Sequence, residues 1–193
     1  MKKLIKLLTL SLIVSTPLFA MGTSSIEKEE LPKIAKVEVY KSERRMALLD
    51  SEGNEVKSYS VNLGFNPLGH KEKQGDGKTP EGVYTLNWKN PESQYHLSIH
   101  ISYPNAADKE RARELGVSPG GDIFIHGMPN TTRNYTWLVS PIGAWLAPDM
   151  TNETIHSFLS MLDWTNGCIA VQNKEIEEIY QLVSVPTKIE IFP

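Results

Sequence analysis

Cysteine is almost missing from this sequence: among 193 residues only Cys168 occurs. A single thiol cannot close an internal disulfide, so the chain is not a disulfide scaffold. An excess of positive charge is missing too. The 20 lysines and arginines face 23 aspartates and glutamates, the wrong balance for a surface that holds nucleic acid, and no nucleic-acid partner is expected. Beyond the first twenty residues no apolar run approaches the roughly 20 residues that a membrane helix needs. Repeats and low-complexity tracts are absent, which sets aside solenoids and repeat arrays. Compact metal-ligand spacing is lacking as well. His96, His100, His126 and Cys168 are zinc-ligand types, but they are scattered. Neither a metal nor an organic cofactor is expected.

What is present begins with the N-terminus. Lys2, Lys3 and Lys6 precede a mainly apolar run from Leu7 to Phe19, and Ala20 ends it. A basic start, a short apolar run and a small residue describe a secretory signal peptide over 1–20. An uncleaved membrane anchor is the competing reading of the same pattern. Export to the periplasm or cell envelope is therefore expected, with no stable membrane span once the signal is removed. Removal would take the basic side chains from 20 to 17 against the same 23 acidic ones. Residues 21–33 are polar and read as a flexible leader, so the folded domain is expected over 34–193.

Within that domain the pattern is strand first, helix later. Alternation around Val37 and Val39, then Met46 to Asp50, Val56 to Leu63, Val83 to Trp88 and His96 to Tyr103, predicts half-buried strands. Gly64 to Gly82 reads as a loop. Its Gly75–Gly82 stretch resembles a phosphate-binding loop only superficially, because the GxxxxGK[ST] spacing fails. Asn105 and Gly116 bracket a helix over Ala106–Leu115. Asp122 to His126 is a short apolar strand, Glu153 to Leu162 a helix capped by Thr151 or Asn152, and Thr187 to Phe192 a last strand. A helix over Lys174–Val183 repeats apolar residues at three- and four-residue steps, with Asn173 as its cap. Six or seven strands and three helices in this order predict an α+β, mainly β domain rather than βαβ repeats.

Two segments carry chemistry: Ile125-His126-Gly127 and Trp164-Thr165-Asn166-Gly167-Cys168. A cysteine nucleophile needs a base or a positive field, since its free pKa is about 8.5, and histidine is the natural partner. Gly167 permits a tight turn whose backbone N–H groups can face an oxyanion. From composition alone, a buried structural thiol and a reactive one stand about even for Cys168. His126 as a satisfied core histidine competes in the same way. His70 and His156 read as surface residues. Trp137, Trp145 and Trp164 could line a groove, although large aromatics more often pack.

These segments resemble the L,D-transpeptidase catalytic-domain family, also called YkuD-type. Ile125-His126-Gly127 matches its histidine–glycine segment. Thr165-Asn166-Gly167-Cys168 matches its [Ser/Thr]-His-Gly-Cys segment, with Asn166 in place of the second histidine. Val61-Asn62-Leu63-Gly64, Gly75 to Tyr84, Ile99 to Asn105 and Asp163 to Ala170 are similar to the YafK-like periplasmic branch. Ala170 stands where many members have arginine, and the 42 positions from His126 to Cys168 exceed the usual spacing. An insertion holding the Glu153–Leu162 helix would explain that.

The resemblance implies cysteine acyl transfer on peptidoglycan stem peptides. Cys168 would be the nucleophile and His126 the base, and the carbonyl of Gly127 would orient the ring. Gly167 and Cys168 N–H groups would hold the oxyanion. Thr165, Asn166, His100 and Tyr103 are the candidate substrate contacts, with His100 read as structural or substrate-facing. A close imidazole is expected to lower the Cys168 pKa. Hydrolysis on the same scaffold, as an L,D-carboxypeptidase or an amidase that releases a wall-attached lipoprotein, remains open. A non-catalytic wall-binding module is the reading from another class.

Overall fold

The computed structural model describes residues 31–131 and 151–193. The expected signal peptide, most of the leader, Trp137 and Trp145 lie outside the described residues. Eleven elements follow one another among the described residues. They are β1 (Lys36–Tyr40), β2 (Arg45–Leu49), β3 (Glu55–Ser60), β4 (Gly82–Ser93), β5 (His96–Ile101), α1 (Ala106–Glu114), β6 (Ile123–His126), α2 (Asn152–Leu159), β7 (Ile169–Ala170), α3 (Asn173–Leu182) and β8 (Thr187–Phe192). The strands form one sheet in the order β3-β2-β1-β8-β4-β5-β6-β7. Only β1–β8 and β6–β7 pair in parallel. This is the mainly β, α+β architecture expected.

The sheet curls because chain just past one edge meets the other edge. Beyond edge strand β3, Asn62 exchanges both backbone hydrogen bonds with Ala170 of β7, at 2.9 and 2.8 Å. Those bonds use up the residues counted into a longer third strand, so β3 stops at Ser60. β4 runs past Trp88 to Ser93 and includes Pro91. Proline is tolerated there because the β4–β5 register breaks between Asn90 and Ser93, and β8 pairs with β4 only up to Leu86.

Alternation builds the core. Val37, Val39, Met46, Leu48, Leu86, Ile99, Ile101, Ile125, Ile189 and Ile191 are all buried on the inner face, the period of two that a half-buried strand requires. α3 closes over it with Ile176 and Ile179. Its N-cap is Gln172 rather than Asn173, whose side chain is engaged elsewhere. A second, smaller cluster joins Met128, Ile155, Leu159, Trp164 and Ala170. Ile155 and Leu159, one turn apart on α2, supply its outer half. This cluster lies against the end of β6, where His126 sits.

Asn105 caps its helix as expected, whereas His70 and His156, read from the sequence as surface residues, are tied into the structure. Asn105 caps α1 in a reciprocal box with Asp108, each bond 3.0 Å. Asp108 is buried, and His70 Nε2 lies 3.0 Å from its Oδ1. His156 is also half-buried, with Nε2–H donating to Pro129 O at 3.0 Å. Buried Lys41 ties the 64–82 loop to β1, its Nζ donating to Gly69 O, Thr79 O and Glu81 Oε1. Burial holds the Lys41 pKa down against the pull of Glu81.

Candidate active site

The loop that imitates a phosphate-binding stretch packs against the turn that carries Cys168. Asp76 organises it: its carboxylate accepts from the backbone N–H of Glu72, Lys73 and Lys78 and from buried Lys71 Nζ at 2.8 Å. Burial opposes ionisation of Asp76, but Lys71 and the three N–H donors outweigh it and bring the carboxyl down to about 2. The folded loop lies beneath the Cys168 turn. A Cβ on Gly167, whose φ is +125°, would lie 2.6 Å from Lys78 O, and one on Gly64 would lie 2.1 Å from Gly77 O. Gly167→Ala is therefore expected to lower stability by roughly 1–3 kcal/mol and to displace Cys168. Thermal unfolding together with Cys168 alkylation rates measures both, and unchanged values would show that the turn does not need glycine.

The segment before the turn is held as tightly. Asp163 accepts from Leu63 N at 2.9 Å and pairs with Arg44 at 2.7 Å. Thr165 N donates to Leu63 O, and Phe65 N to Thr165 O. Thr165, expected to touch substrate, lies in the pocket wall, buried, and braces the turn: its Oγ1 donates to Cys168 O at 2.7 Å and accepts from Gly167 N at 3.1 Å. The Gly167 N–H is thus occupied. Of the two backbone donors expected to face an oxyanion, Cys168 N–H is the one left for that role.

Register brings the histidine and the cysteine together. β6 and β7 pair in parallel with Ile125 opposite Ile169 and His126 opposite Ala170. Continued one step, this carries Cys168 alongside Phe124, whose backbone N–H bonds the sulfur. His126 and Cys168 both line one pocket of about 660 Å³, with Phe65, Tyr95, Asp122 and Trp164 among its other walls. The thiol donates to Asp122 O at 3.5 Å. The His126 ring is buried between Tyr95, at 4.5 Å between centroids, and the edge-on Trp164, at 5.7 Å. Its Nδ1–H donates to Gly127 O at 2.7 Å. A carbonyl only accepts, so Nδ1 carries the proton and Nε2 carries the lone pair of the neutral ring.

The electrostatics correct one expectation. A lowered Cys168 pKa was anticipated, yet the thiol is raised to about 11. Burial is the main cause, and the negative Asp122 adds to it, while the Phe124 N–H and distant Lys71 pull the other way. Cys168 keeps some access through the pocket mouth, although protein surrounds the sulfur on nearly every side. His126 cannot help, because burial drives its own pKa to about 4 despite the Gly127 hydrogen bond. At neutral pH the imidazole is uncharged and offers the sulfur no positive field. The resting pair is thiol and neutral imidazole.

Other candidates fall in different places. Asn166 stands exposed on the pocket rim. Tyr103, a candidate substrate contact, is a core residue outside the pocket lining, buried against Tyr84, its hydroxyl donating to Pro119 O at 3.0 Å. His100 lies on the same sheet face as the pocket but outside its lining, stacked on Trp88 and 2.7 Å from Asn87 Oδ1. His96 pairs with Glu177 at 2.6 Å. Sequence reasoning missed Tyr95, Asp122 and Asn173. For Asp122 and Asn173 the signal was positional. Asp122 directly precedes β6, which carries His126, and Asn173 follows closely on β7 next to Cys168. Tyr95, in the turn between β4 and β5, gave none.

A profile of the L,D-transpeptidase catalytic domain, YkuD, matches residues 35–191. YafK of Escherichia coli (strain K12), which carries a provisional L,D-transpeptidase name, is 34% identical over 96 residues, 47% of this chain and 37% of that protein. Among solved structures, the K307A mutant of the helical cell shape determining protein Pgp2 from Campylobacter jejuni is 26% identical with a TM-score of 0.55, covering 83% of this chain and 47% of that one. Bd1075 of Bdellovibrio bacteriovorus is 23% identical with a TM-score of 0.50, covering 86% and 50%. This chain spans half or less of the length of each of these proteins.

Proposed function

The chain belongs to the L,D-transpeptidase catalytic-domain (YkuD) family, and from that premise we propose that it is a cysteine acyltransferase acting on peptidoglycan stem peptides. The observation that carries this reading is the presence of the chain's one thiol and a buried histidine, its Nδ1–H held by Gly127 O, in the lining of a single pocket. In the proposed reaction Cys168 Sγ attacks the carbonyl at the L-centre of diaminopimelate while His126 Nε2 takes the thiol proton. The Cys168 N–H faces the developing oxyanion. The carbon–nitrogen bond to D-alanine then breaks, and D-alanine leaves with the proton returned by His126. The resulting thioester is attacked by an acceptor amine, whose proton passes through His126 to the departing sulfur. No cofactor takes part in these steps.

Such a substrate lies outside the cytoplasm, so the reading includes cleavage of 1–20, a leader over 21–33 and a catalytic domain over 34–193. Among the described residues no helix is long and apolar enough to cross a membrane.

Hydrolysis is the second reading, because Cys168 keeps access to solvent and water can reach the same thioester. Its products would be shortened stems, or a lipoprotein released from the wall. Incubating the full chain with defined tetrapeptide muropeptides, with and without an amine acceptor, separates the readings by product mass. Dimers that have lost one D-alanine mean transfer, and tripeptide stems alone mean hydrolysis. Unaltered muropeptides under both conditions would remove the enzymatic reading and leave a wall-binding module.

A further inference from the structure

The carbonyl that receives the His126 proton belongs to a peptide unit held from both sides. On one side Gly127 O accepts from His126 Nδ1–H at 2.7 Å. On the other, the N–H of the same unit, that of Met128, donates to Asn173 Oδ1 at 2.8 Å. We propose that Asn173 is a positioning residue for His126, acting through the Gly127–Met128 peptide to fix the tautomer and direction of the imidazole.

The peptide group is planar and trans, so its C=O and N–H point in opposite directions and rotate as one body. A turn that frees the carbonyl from Nδ1 also breaks the bond to Asn173. Aligned in series, the two hydrogen bonds polarise the peptide and strengthen each other. The neighbouring rings cannot replace this control. Tyr95 and Trp164 limit the tilt of the imidazole, but a half-turn about its Cβ–Cγ bond leaves the plane unchanged while exchanging Nδ1 for carbon. Only a directional partner for Nδ1 separates the two orientations, and that partner is the carbonyl that Asn173 holds.

The local structure supports this assignment. Asn173 opens α3 but does not cap it. Gln172 takes that place, its N–H donating to Glu175 Oε2 at 2.8 Å, and the Asn173 carbonyl oxygen is left for Met128. α3 is a firm base, because Ile176 and Ile179 are fully buried. A Cβ at Gly127 would lie 2.8 Å from Asn173 Oδ1 and 2.9 Å from Ile176 Cγ2. Glycine at 127 is what lets the start of α3 close on this peptide. The Gly127 N–H, in the preceding peptide unit, donates to Tyr95 O at 3.0 Å, so the chain entering this unit is tied to the turn between β4 and β5.

The inference rests on His126 as the proposed base, but its primary test needs no substrate. Nitrogen-15 spectra of the imidazoles in the full chain at neutral pH are expected to show His126 as one Nδ1–H tautomer. Asn173→Ala is expected to bring in the Nε2–H tautomer and to lower turnover roughly tenfold, a fraction of the 10²–10⁴ that a general base supplies. Asn173→Asp keeps an acceptor at the same place and is expected to restore the wild-type tautomer. It also guards against misreading a folding defect in the alanine variant, with thermal unfolding recorded for both. A wild-type imidazole spectrum in Asn173→Ala would overturn the proposal. So would a folded Asn173→Asp that behaves like alanine. An Asn173-dependent tautomer in a protein inert toward muropeptides would uphold the positioning role and defeat the acyl-transfer reading instead.

Discussion

Cys168→Ser is expected to lower turnover of tetrapeptide stems by at least about 10³-fold while leaving the fold intact, because a hydroxyl is far harder to ionise than a thiol. The pocket sharpens the contrast. It already raises the thiol to about 11 by burial, and the same burial would raise a hydroxyl from a higher start. Each pKa unit corresponds to about 1.4 kcal/mol between protonation states, so an alcohol in this pocket gives up its proton to His126 less readily still than the thiol does. Cys168→Ala is expected to be as inactive, since nothing else in the chain carries a thiol. Thermal unfolding should place both variants near the wild type, because the change is one atom in size or a small truncation at a pocket wall. Product masses from muropeptide digests give the readout. Stems processed at the wild-type rate by Cys168→Ser would show that the thiol is structural and that the pocket serves binding.

Much of the fold could be read from the residues, and the exceptions have physical causes. Alternation around Val37 and Val39 and the Asn105–Gly116 bracket identify β1 and α1 because the period and the cap are local signals. β7 has only two residues, too few for a period to show, yet its register with β6 sets Cys168 beside Phe124. The burial of Tyr103 was legible in the same alternation. With Ile99 and Ile101 on the core face, Tyr103 follows them inward, and His100 and Ser102 point the other way. Asn173 has the residue type of a cap and stands one position too late to be one.

Two of the three departures from the family pattern noted in the sequence, Ala170 and the long His126–Cys168 spacing, meet in the fold. Ala170 stands where many members have arginine, and it is fully buried in the cluster with Met128, Ile155, Leu159 and Trp164. Ile155 and Leu159 come from α2, within the stretch that lengthens the His126–Cys168 spacing. An arginine at 170 would have to place its charge among these apolar side chains, which is costly without a partner. The extra helix and the small residue therefore belong together.

The pH dependence distinguishes a neutral pair from a preformed ion pair. With His126 near 4 and Cys168 near 11, about seven pKa units separate base and acid. Burial thus disfavours the thiolate–imidazolium form relative to the neutral one before their mutual attraction is counted. Resting thiolate is then negligible, and proton transfer accompanies attack on the carbonyl. The base must be unprotonated to act. Activity is accordingly lost as pH falls through about 4, and kcat/KM should keep its plateau well below the ordinary imidazole value of about 6.5. His126→Ala is expected to lower kcat/KM by about 10²–10⁴ and to abolish that acid limb. Alkylation of Cys168 without substrate should behave differently. Its midpoint should lie above the free-thiol value of about 8.5 and should scarcely move in His126→Ala, because a neutral ring exerts no field to lose. A midpoint below the free-thiol value that rises when His126 is removed would establish a preformed thiolate–imidazolium pair and refute the neutral one.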